Sequence, residues 1–146
     1  MADGFTNKGK AKLLRSFFQS ETLPTNVYAY LVTNAVAPTA DTNTLSELTE
    51  ISETGKEISL SLNTTDFDTS VADSEDDADD KGIMQVKDLV FDGAITAASY
   101  IVLTDDDATE ANRIVYAYWS LGSIRTIDSG DTLVVADLEF DLVECE

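Results

Sequence analysis

Hydrophobic and polar residues alternate along much of the chain with the period of two that is typical of β-strands. Residues 112–122 (NRIVYAYWSLG) hold the one tryptophan of the chain and two of its five tyrosines. Both faces of this stretch are apolar: Ile114, Tyr116 and Tyr118 on one side, and Val115, Ala117 and Trp119 on the other. Because neither face is polar in its middle, we expect a central strand that is covered on both sides. Its aromatic residues are interpreted as core, with a ligand groove as the alternative.

The other predicted strands share β-branched or aromatic residues and turn signals at their ends. They cover residues 25–33, 57–62, 82–91, 98–104 and 132–143. Residues 63–80 and 122–130 are predicted to be loops. Strands that follow one another through turns, without helical patterns between them, indicate a mainly β fold. We expect an antiparallel β-sandwich or a jelly-roll-like barrel with one N-terminal α-helix.

The helix is predicted over residues 6–18, where Thr6 and Asn7 are suitable N-cap residues. Its apolar face has four side chains at helical spacing: Leu13, Leu14, Phe17 and Phe18. Its polar face carries four of the nine basic residues: Lys8, Lys10, Lys12 and Arg15. Two interpretations stay open. The helix is either a basic docking element for an acidic surface, or an amphipathic helix packed on the β-core with its cations in solvent or beside the protein's own acids.

A long connection covers residues 34–56. Within it, Leu45 and Leu48 predict a short helical turn that is held against the core. A connection of this length inside a compact domain is uncommon and is typically functional or disordered. We therefore expect an arm that contacts a neighbouring subunit.

The composition adds a strong negative charge to this picture. A length of 146 residues predicts one domain over residues 1–146, and 28 acidic against 9 basic residues give a formal net charge of −19. Nucleic acid and anionic lipid would repel such a surface, so neither is expected as a direct partner. No apolar run approaches the roughly 20 residues of a membrane span. Three causes of the charge stay open: a saline habitat, bound cations and a basic partner.

Residues suited to catalysis are scarce. The chain has no histidine, which removes the commonest general base and the commonest zinc ligand. Its one cysteine, Cys145, has no second cysteine with which to form an internal disulfide. Neither a phosphate-binding glycine loop nor a nucleophile motif is present. We therefore expect no enzymatic activity, no catalytic residue and no cofactor.

Acidic residues at alternate positions of segment 73–80 raise the question of calcium binding. The spacing of an EF-hand fails there, because Ala78 occupies the position that needs glycine and Met84 the position of the bidentate glutamate. An irregular calcium site in this segment, or at residues 105–107, stays open beside a solvated acidic loop. No metal ligand is assigned.

Three stretches, in one order along the chain, carry a resemblance to known proteins. They are TNKGK followed by Leu13 and Leu14; LPTNVYAYLVT running into APTADTNTLSELTEI; and VLTDD leading to ANRIVYAYWSLG and SGDTL. Together they resemble a family of tailed-bacteriophage structural proteins that decorate or cement the capsid. The chain departs from that family pattern at residues 52–56, which replace a longer glycine-rich segment, and at the acidic residues 72–80.

The resemblance implies a single virion structural domain, made in the host bacterial cytoplasm and placed on the capsid exterior as a homotrimer. Such a protein binds the major capsid protein and bridges neighbouring capsomers, which stabilises the DNA-filled shell. The helix and the arm are then the best candidates for capsid or inter-subunit contact, through Lys8, Lys10, Lys12, Arg15, Pro38, Thr39, Asp41, Asn43 and Leu45. Two alternatives remain: a phage tail or fibre component, and a calcium- or glycan-binding β-sandwich.

Overall fold

The computed structural model describes residues 4–51, 56–68, 75–76 and 81–143. These residues form one α-helix, α1 (Asn7–Gln19), and two 3-10 turns at Leu45–Glu47 and Glu110–Asn112. The strands that they form are β1 (Gly4–Phe5), β2 (Asn26–Val32), β3 (Glu57–Ser61), β4 (Phe67–Asp68), β5 (Glu75–Asp76), β6 (Lys81–Val86), β7 (Leu89–Asp92), β8 (Ile95–Thr104), β9 (Val115–Ile127), β10 (Thr132–Val135) and β11 (Leu138–Val143).

The strands pair antiparallel in three sheets. The large sheet has the order β1-β9-β8-β2-β3. Two smaller sheets have the orders β10-β7 and β11-β6-β4, and β5 also pairs with β6. The predicted mainly β fold with antiparallel sheets and one N-terminal helix is confirmed, and the packing described next is that of a β-sandwich.

The main core lies between the large sheet and the two smaller sheets. Alternate residues of β2, β8 and β9, such as Leu31, Ile101 and Trp119, meet Phe91 of β7 and Leu138 of β11 there. The indole Nε1 of Trp119 also donates a hydrogen bond to the Glu139 carbonyl oxygen at 2.9 Å. Burial of these side chains is the main favourable term in folding the sandwich.

A second core covers the opposite face of the large sheet. Tyr30, Val102 and Tyr118 point to this side and pack with Leu45 and Leu48 of the long connection. The sheet therefore has two apolar faces, and the expectation of cover on both sides is confirmed for residues 115–119. The faces differ from strict alternation, because a register shift beside Thr104 places Val115 with Tyr118 in the second core and Tyr116 against the main core.

The order of the strands corrects one expectation. The middle strand of the large sheet is β8, whereas β9 lies next to the two-residue edge strand β1. Strand β9 is also longer than predicted, because it continues beside β8 as far as the pair Ile95–Ile127. The predicted loop 122–130 is thus strand up to Ile127. Register shifts between Ile95 and Tyr100 bend this pair without breaking it.

Two predicted strands are each divided in two. Segment 82–91 becomes β6 and β7, and segment 132–143 becomes β10 and β11. In each case the two halves enter different sheets, since β7 pairs with β10 and β6 pairs with β11. Asp137, at the second break, has a φ of 57°. The core-facing positions shift by one residue at each break, from Val86 to Leu89 and Phe91, and from Leu133 and Val135 to Leu138 and Phe140. The shift is masked in the sequence because the exposed residues Val90 and Val134 are also apolar.

Helix α1 is confirmed, and its first turn fixes it to β9. Thr6 is the N-cap, and its Oγ1 accepts a hydrogen bond from the Gly9 amide at 3.0 Å and donates one to the Val115 carbonyl at 2.6 Å. The Thr6 amide donates to the Tyr116 carbonyl at 2.9 Å. Gly9 is buried against the same backbone, where a Cβ atom would lie 2.1 Å from the Tyr116 carbonyl oxygen.

The variant Gly9→Ala tests this close approach. We expect the free energy of unfolding to fall by about 1–3 kcal/mol, because the helix would have to move away from the β9 backbone. The higher helix propensity of alanine offsets at most about 1 kcal/mol of this loss. Chemical denaturation measures the change. Gly82→Ala is the matched control, since its added Cβ would meet nothing within 4 Å. A Gly9→Ala protein as stable as wild type would contradict the docking geometry.

Asp66 joins β3 to the residues between β6 and β7. Its carboxylate accepts a hydrogen bond from the Ser61 amide at 2.7 Å and pairs with the Lys87 Nζ at 2.5 Å, while its carbonyl accepts from the Lys87 amide at 2.9 Å. The hydrogen bond from Lys87, followed by that from Ser61, lowers the pKa of this buried carboxyl below its usual 3.8.

A lowered pKa means that Asp66 stabilises the fold above pH 3.8, and that this contribution is lost as the pH falls through the folded-state pKa. We expect Asp66→Asn to lower the melting temperature at neutral pH and to weaken its decline below pH 3.8. Thermal unfolding as a function of pH measures both effects. The exposed Asp88→Asn variant removes the same formal charge and should retain the wild-type acid profile. Identical acid profiles for Asp66→Asn and wild type would contradict the role of Asp66.

Candidate functional site

The apolar face of helix α1 is mostly exposed. Leu14, Phe17 and Phe18 are 59%, 82% and 75% exposed, and Leu13 is 40% exposed. Within α1, all of which the structure describes, Gly9 is the one buried residue. The interpretation of a helix packed on the β-core therefore holds for the first turn and is wrong for the last two, because the sandwich core is closed without them.

An apolar groove of about 620 Å³ lies between α1 and the sandwich. Its floor includes Phe5, Phe67 and Phe140. The ring of Phe140 stacks on Phe5 at 4.9 Å and meets Trp119 edge-on at 4.8 Å, so the floor is continuous with the main core. Leu13 of the helix and Leu23 beyond it form part of the wall.

Two of the four predicted helix cations are used within the chain. The Lys12 Nζ donates to the Glu21 Oε1 at 2.7 Å and to the Thr22 carbonyl at 2.6 Å, and Arg15 pairs with the same Glu21 carboxylate. Hydrogen bonds from Lys12 and then Arg15 lower the pKa of Glu21. These contacts fold residues 20–22 back against the helix. The side chains of Lys8 and Lys10 are exposed.

The structure brings the start of the helix together with the long connection. The Asn7 amide donates to the Ala40 carbonyl at 2.7 Å, and the Asn7 Nδ2 donates to the Asp41 Oδ1 at 2.9 Å. Among the predicted contact residues, Thr39, Asp41 and Asn43 are exposed here. We call the surface formed by Lys8, Thr39, Asp41 and Asn43 the helix–loop surface; Lys10 lies further along the helix, one turn before Leu14.

Two other predicted contact residues belong to the interior. Leu45 is fully buried in the second core, and Pro38 is also buried. Isolated bridges Val32–Glu50 and Thr44–Ile114 hold the connection against the sheet. The expectation of an arm that reaches a neighbour is therefore wrong for Pro38 and Leu45, because both side chains are buried within their own subunit and Leu45 forms part of its second core.

Arg113 forms a polar centre that sequence reasoning missed. Its guanidinium lies 4.0 Å from the centre of the Tyr28 ring, hydrogen-bonds the Tyr30 hydroxyl, and approaches the Glu57 carboxylate at 3.6 Å. Burial, followed by the nearby Glu57, raises the pKa of Tyr30 above its usual range. The sequence feature that could have identified this centre is the position of Arg113, which is a basic residue at the start of an apolar strand in a chain with few basic residues.

A second ion cluster lies nearby. Lys56 pairs with Glu50 and, at 3.4 Å, with Glu110. Burial opposes the charge of Lys56, but the two glutamates outweigh it and raise its pKa. The cluster links the end of the long connection to the start of β3 and to the 3-10 turn before β9. It therefore holds the long connection in place over the second core.

The carboxylates of residues 105–107 bind backbone amides. Asp105 accepts from the Ile114 amide at 3.0 Å, Asp106 from the Thr25 amide at 2.9 Å, and Asp107 from the Thr109 amide at 2.8 Å. Among the residues described, no group of three or more Asp, Glu, Cys or His residues is arranged to hold a metal ion. The side chains of segment 73–80 and Cys145 lie outside this part of the chain.

No family model, no curated protein and no solved structure matched the chain. Among the described residues, no helix has the length and apolar character required to cross a membrane.

Arg113→Met tests whether the Arg113 centre is structural. The change removes the cationic partner of the buried Tyr30 hydroxyl and of Glu57, and hydrogen bonds to charged groups contribute about 1.5–3 kcal/mol. We expect the free energy of unfolding to fall by about that amount in chemical denaturation. Arg125→Met makes the same substitution at an exposed site on β9 and should change stability by less than about 0.5 kcal/mol. Equal effects of the two variants would contradict a special role for Arg113.

Proposed function

We propose that this chain is a phage virion structural protein that binds the head exterior and bridges neighbouring capsomers. The observation that carries the proposal is the exposed apolar end of α1, where Phe17 and Phe18 are 82% and 75% exposed. Contiguous exposed apolar surface on a soluble domain marks a contact with another protein or a ligand. The ordered resemblance of the sequence to capsid-decorating proteins supports the choice of a virion.

The helix–loop surface supports contact with the capsid itself. It presents exposed polar side chains, including Lys8 and Asn43, on backbone that hydrogen bonds tie to β9. The Val115 amide, for example, donates to the Asn43 carbonyl at 3.0 Å. A rigid polar surface of this kind loses little conformational entropy on binding, which favours repeated weak contacts.

The action of such a protein is mechanical. Each copy makes modest contacts with two neighbouring capsomers. Once a copy is bound to one capsomer, its contact with the second forms at high effective concentration. Several copies joined to one another, as in the trimer that the resemblance implies, multiply this effect. The shell is then held against the outward pressure of its DNA by many contacts that are individually weak.

The alternatives receive less support. The carboxylates of Asp105, Asp106 and Asp107 are taken up by three different backbone amides, which does not favour a calcium site there. A tail or fibre component would use the same fold and the same contact surfaces, so the location within the virion is decided by experiment.

Capsid binding tests the proposal. The purified chain, added to expanded capsids that lack it, should co-sediment with them at a fixed number of copies per capsomer. Lys8→Glu should weaken binding about fivefold for each contact, because a reversed charge at a protein interface costs on the order of 1 kcal/mol. Arg125→Glu removes a positive charge at the other end of β9 and serves as the control. Virions that contain the chain in tails alone, or not at all, would overturn the proposal.

A further inference from the structure

We propose that the groove beside helix α1 holds the apolar flank of the same helix from a second copy of the chain. The flank consists of Leu14, Phe17 and Phe18. This inference rests on the proposed assembly function and names the occupant of the apolar surface that carries it. Each subunit then supplies both a protruding element and the groove that receives it.

The geometry prevents the flank from filling the groove of its own subunit. Gly9, Lys12 and Leu13 of the helix line the groove, whereas Phe17 and Phe18 point into solvent and pack on each other with ring centres 4.9 Å apart. The first turn fixes the helix through the Gly9 contact with β9, so the flank is held outside. The groove volume of about 620 Å³ falls within the range of sites that enclose a ligand.

Charge complementarity favours the helix of a second copy as the occupant. Helix α1 carries four basic residues and no acidic residue. The groove is lined by Phe67 of β4 and Met84 of β6, and the chain between these strands holds six acidic residues: Asp73, Glu75, Asp76, Asp77, Asp79 and Asp80. Two of these residues form β5, in which Glu75 pairs with Gly82, a residue that lines the groove. An apolar, basic helix therefore matches an apolar groove that has an acidic strand beside it. Lys10 shares the flank, since it precedes Leu14 by four residues and Phe17 by seven.

The same charges disfavour other occupants. An anionic amphiphile or a nucleic acid would be repelled by the net charge of −19 and by the acidic strand. Two copies of the chain also repel each other at long range, but salt at about 0.15 M limits this repulsion to about 8 Å. Burial of Phe17 and Phe18 then favours association at contact distance.

Sedimentation velocity and native mass spectrometry of the full-length chain test the inference. At micromolar concentration and about 0.15 M salt, the wild type should form a closed dimer or trimer. The double substitution Phe17→Ser and Phe18→Ser should raise the dissociation constant about 30-fold or more, as expected for the loss of central aromatic anchors. Its melting temperature should remain close to that of the separated wild-type subunit, because both rings are exposed.

Two controls separate this effect from a general loss of apolar surface or positive charge. Ile124→Ser removes an apolar side chain that is 57% exposed on β9, and it should leave association unchanged. Lys10→Glu should weaken association, whereas Arg125→Glu should leave it unchanged. Equal effects of Ile124→Ser and the double phenylalanine substitution would overturn the inference.

A mixing experiment distinguishes a helix in a groove from two helices packed on each other. Met84→Glu places a charge in the groove and should also give a monomer. A mixture of Met84→Glu with the double phenylalanine variant should restore a mixed oligomer, because one intact helix and one intact groove remain. Absence of any mixed oligomer, or a wild type that stays monomeric, would overturn the inference.

These results separate the inference from the proposed function. In one outcome, the wild type is monomeric but binds capsids, and the double phenylalanine substitution abolishes that binding. A capsid segment would then fill the groove, so the inference would be wrong and the proposed function would be supported. An oligomer with the mixing behaviour described above that is absent from virions would support the inference and overturn the function.

Discussion

The fold depends on one constraint: the large sheet has two apolar faces, and both have to be removed from water. The two smaller sheets cover one face, and the long connection covers the other through Leu45 and Leu48. The Arg113 centre and the Lys56 cluster fasten that second cover in place. The first turn of α1 is fixed to β9, and the last two turns are held away from the sandwich, so the flank of the helix is exposed beside the groove.

Helix α1 is therefore a docked element with two different ends. Its first turn is fixed by Thr6 and by the Gly9 contact, which leaves no space between the helix and the β9 backbone. Its last turns carry Phe17 and Phe18 into solvent beside an apolar groove. A rigid base with an exposed apolar end is suited to a contact with another subunit, because the contact requires little reordering of the chain.

The alternation of apolar and polar residues predicted much of the fold, but it did not predict how the strands divide among the three sheets. Helix α1, β2, β3 and the burial of both faces at the start of β9 follow from local period and composition. The breaks near Asp88 and Asp137 were not predicted, because the exposed valines Val90 and Val134 hide the one-residue shift of the core-facing positions at each break. The extension of β9 to Ile127 was also missed, since its exposed residues resemble a loop when their partner strand β8 is unknown.

The sequence by itself determined the secondary structure class, the charge and the presence of one basic, amphipathic helix. The tertiary structure alone decided which of these features face a partner. It buried Pro38 and Leu45, paired Lys12 and Arg15 with Glu21, and joined the start of the helix to Asp41 through Asn7. The physical reason is that the sequence pattern shows which side chains are apolar and are therefore stabilised by burial. Which residues bury them depends on contacts between positions that are far apart in the chain.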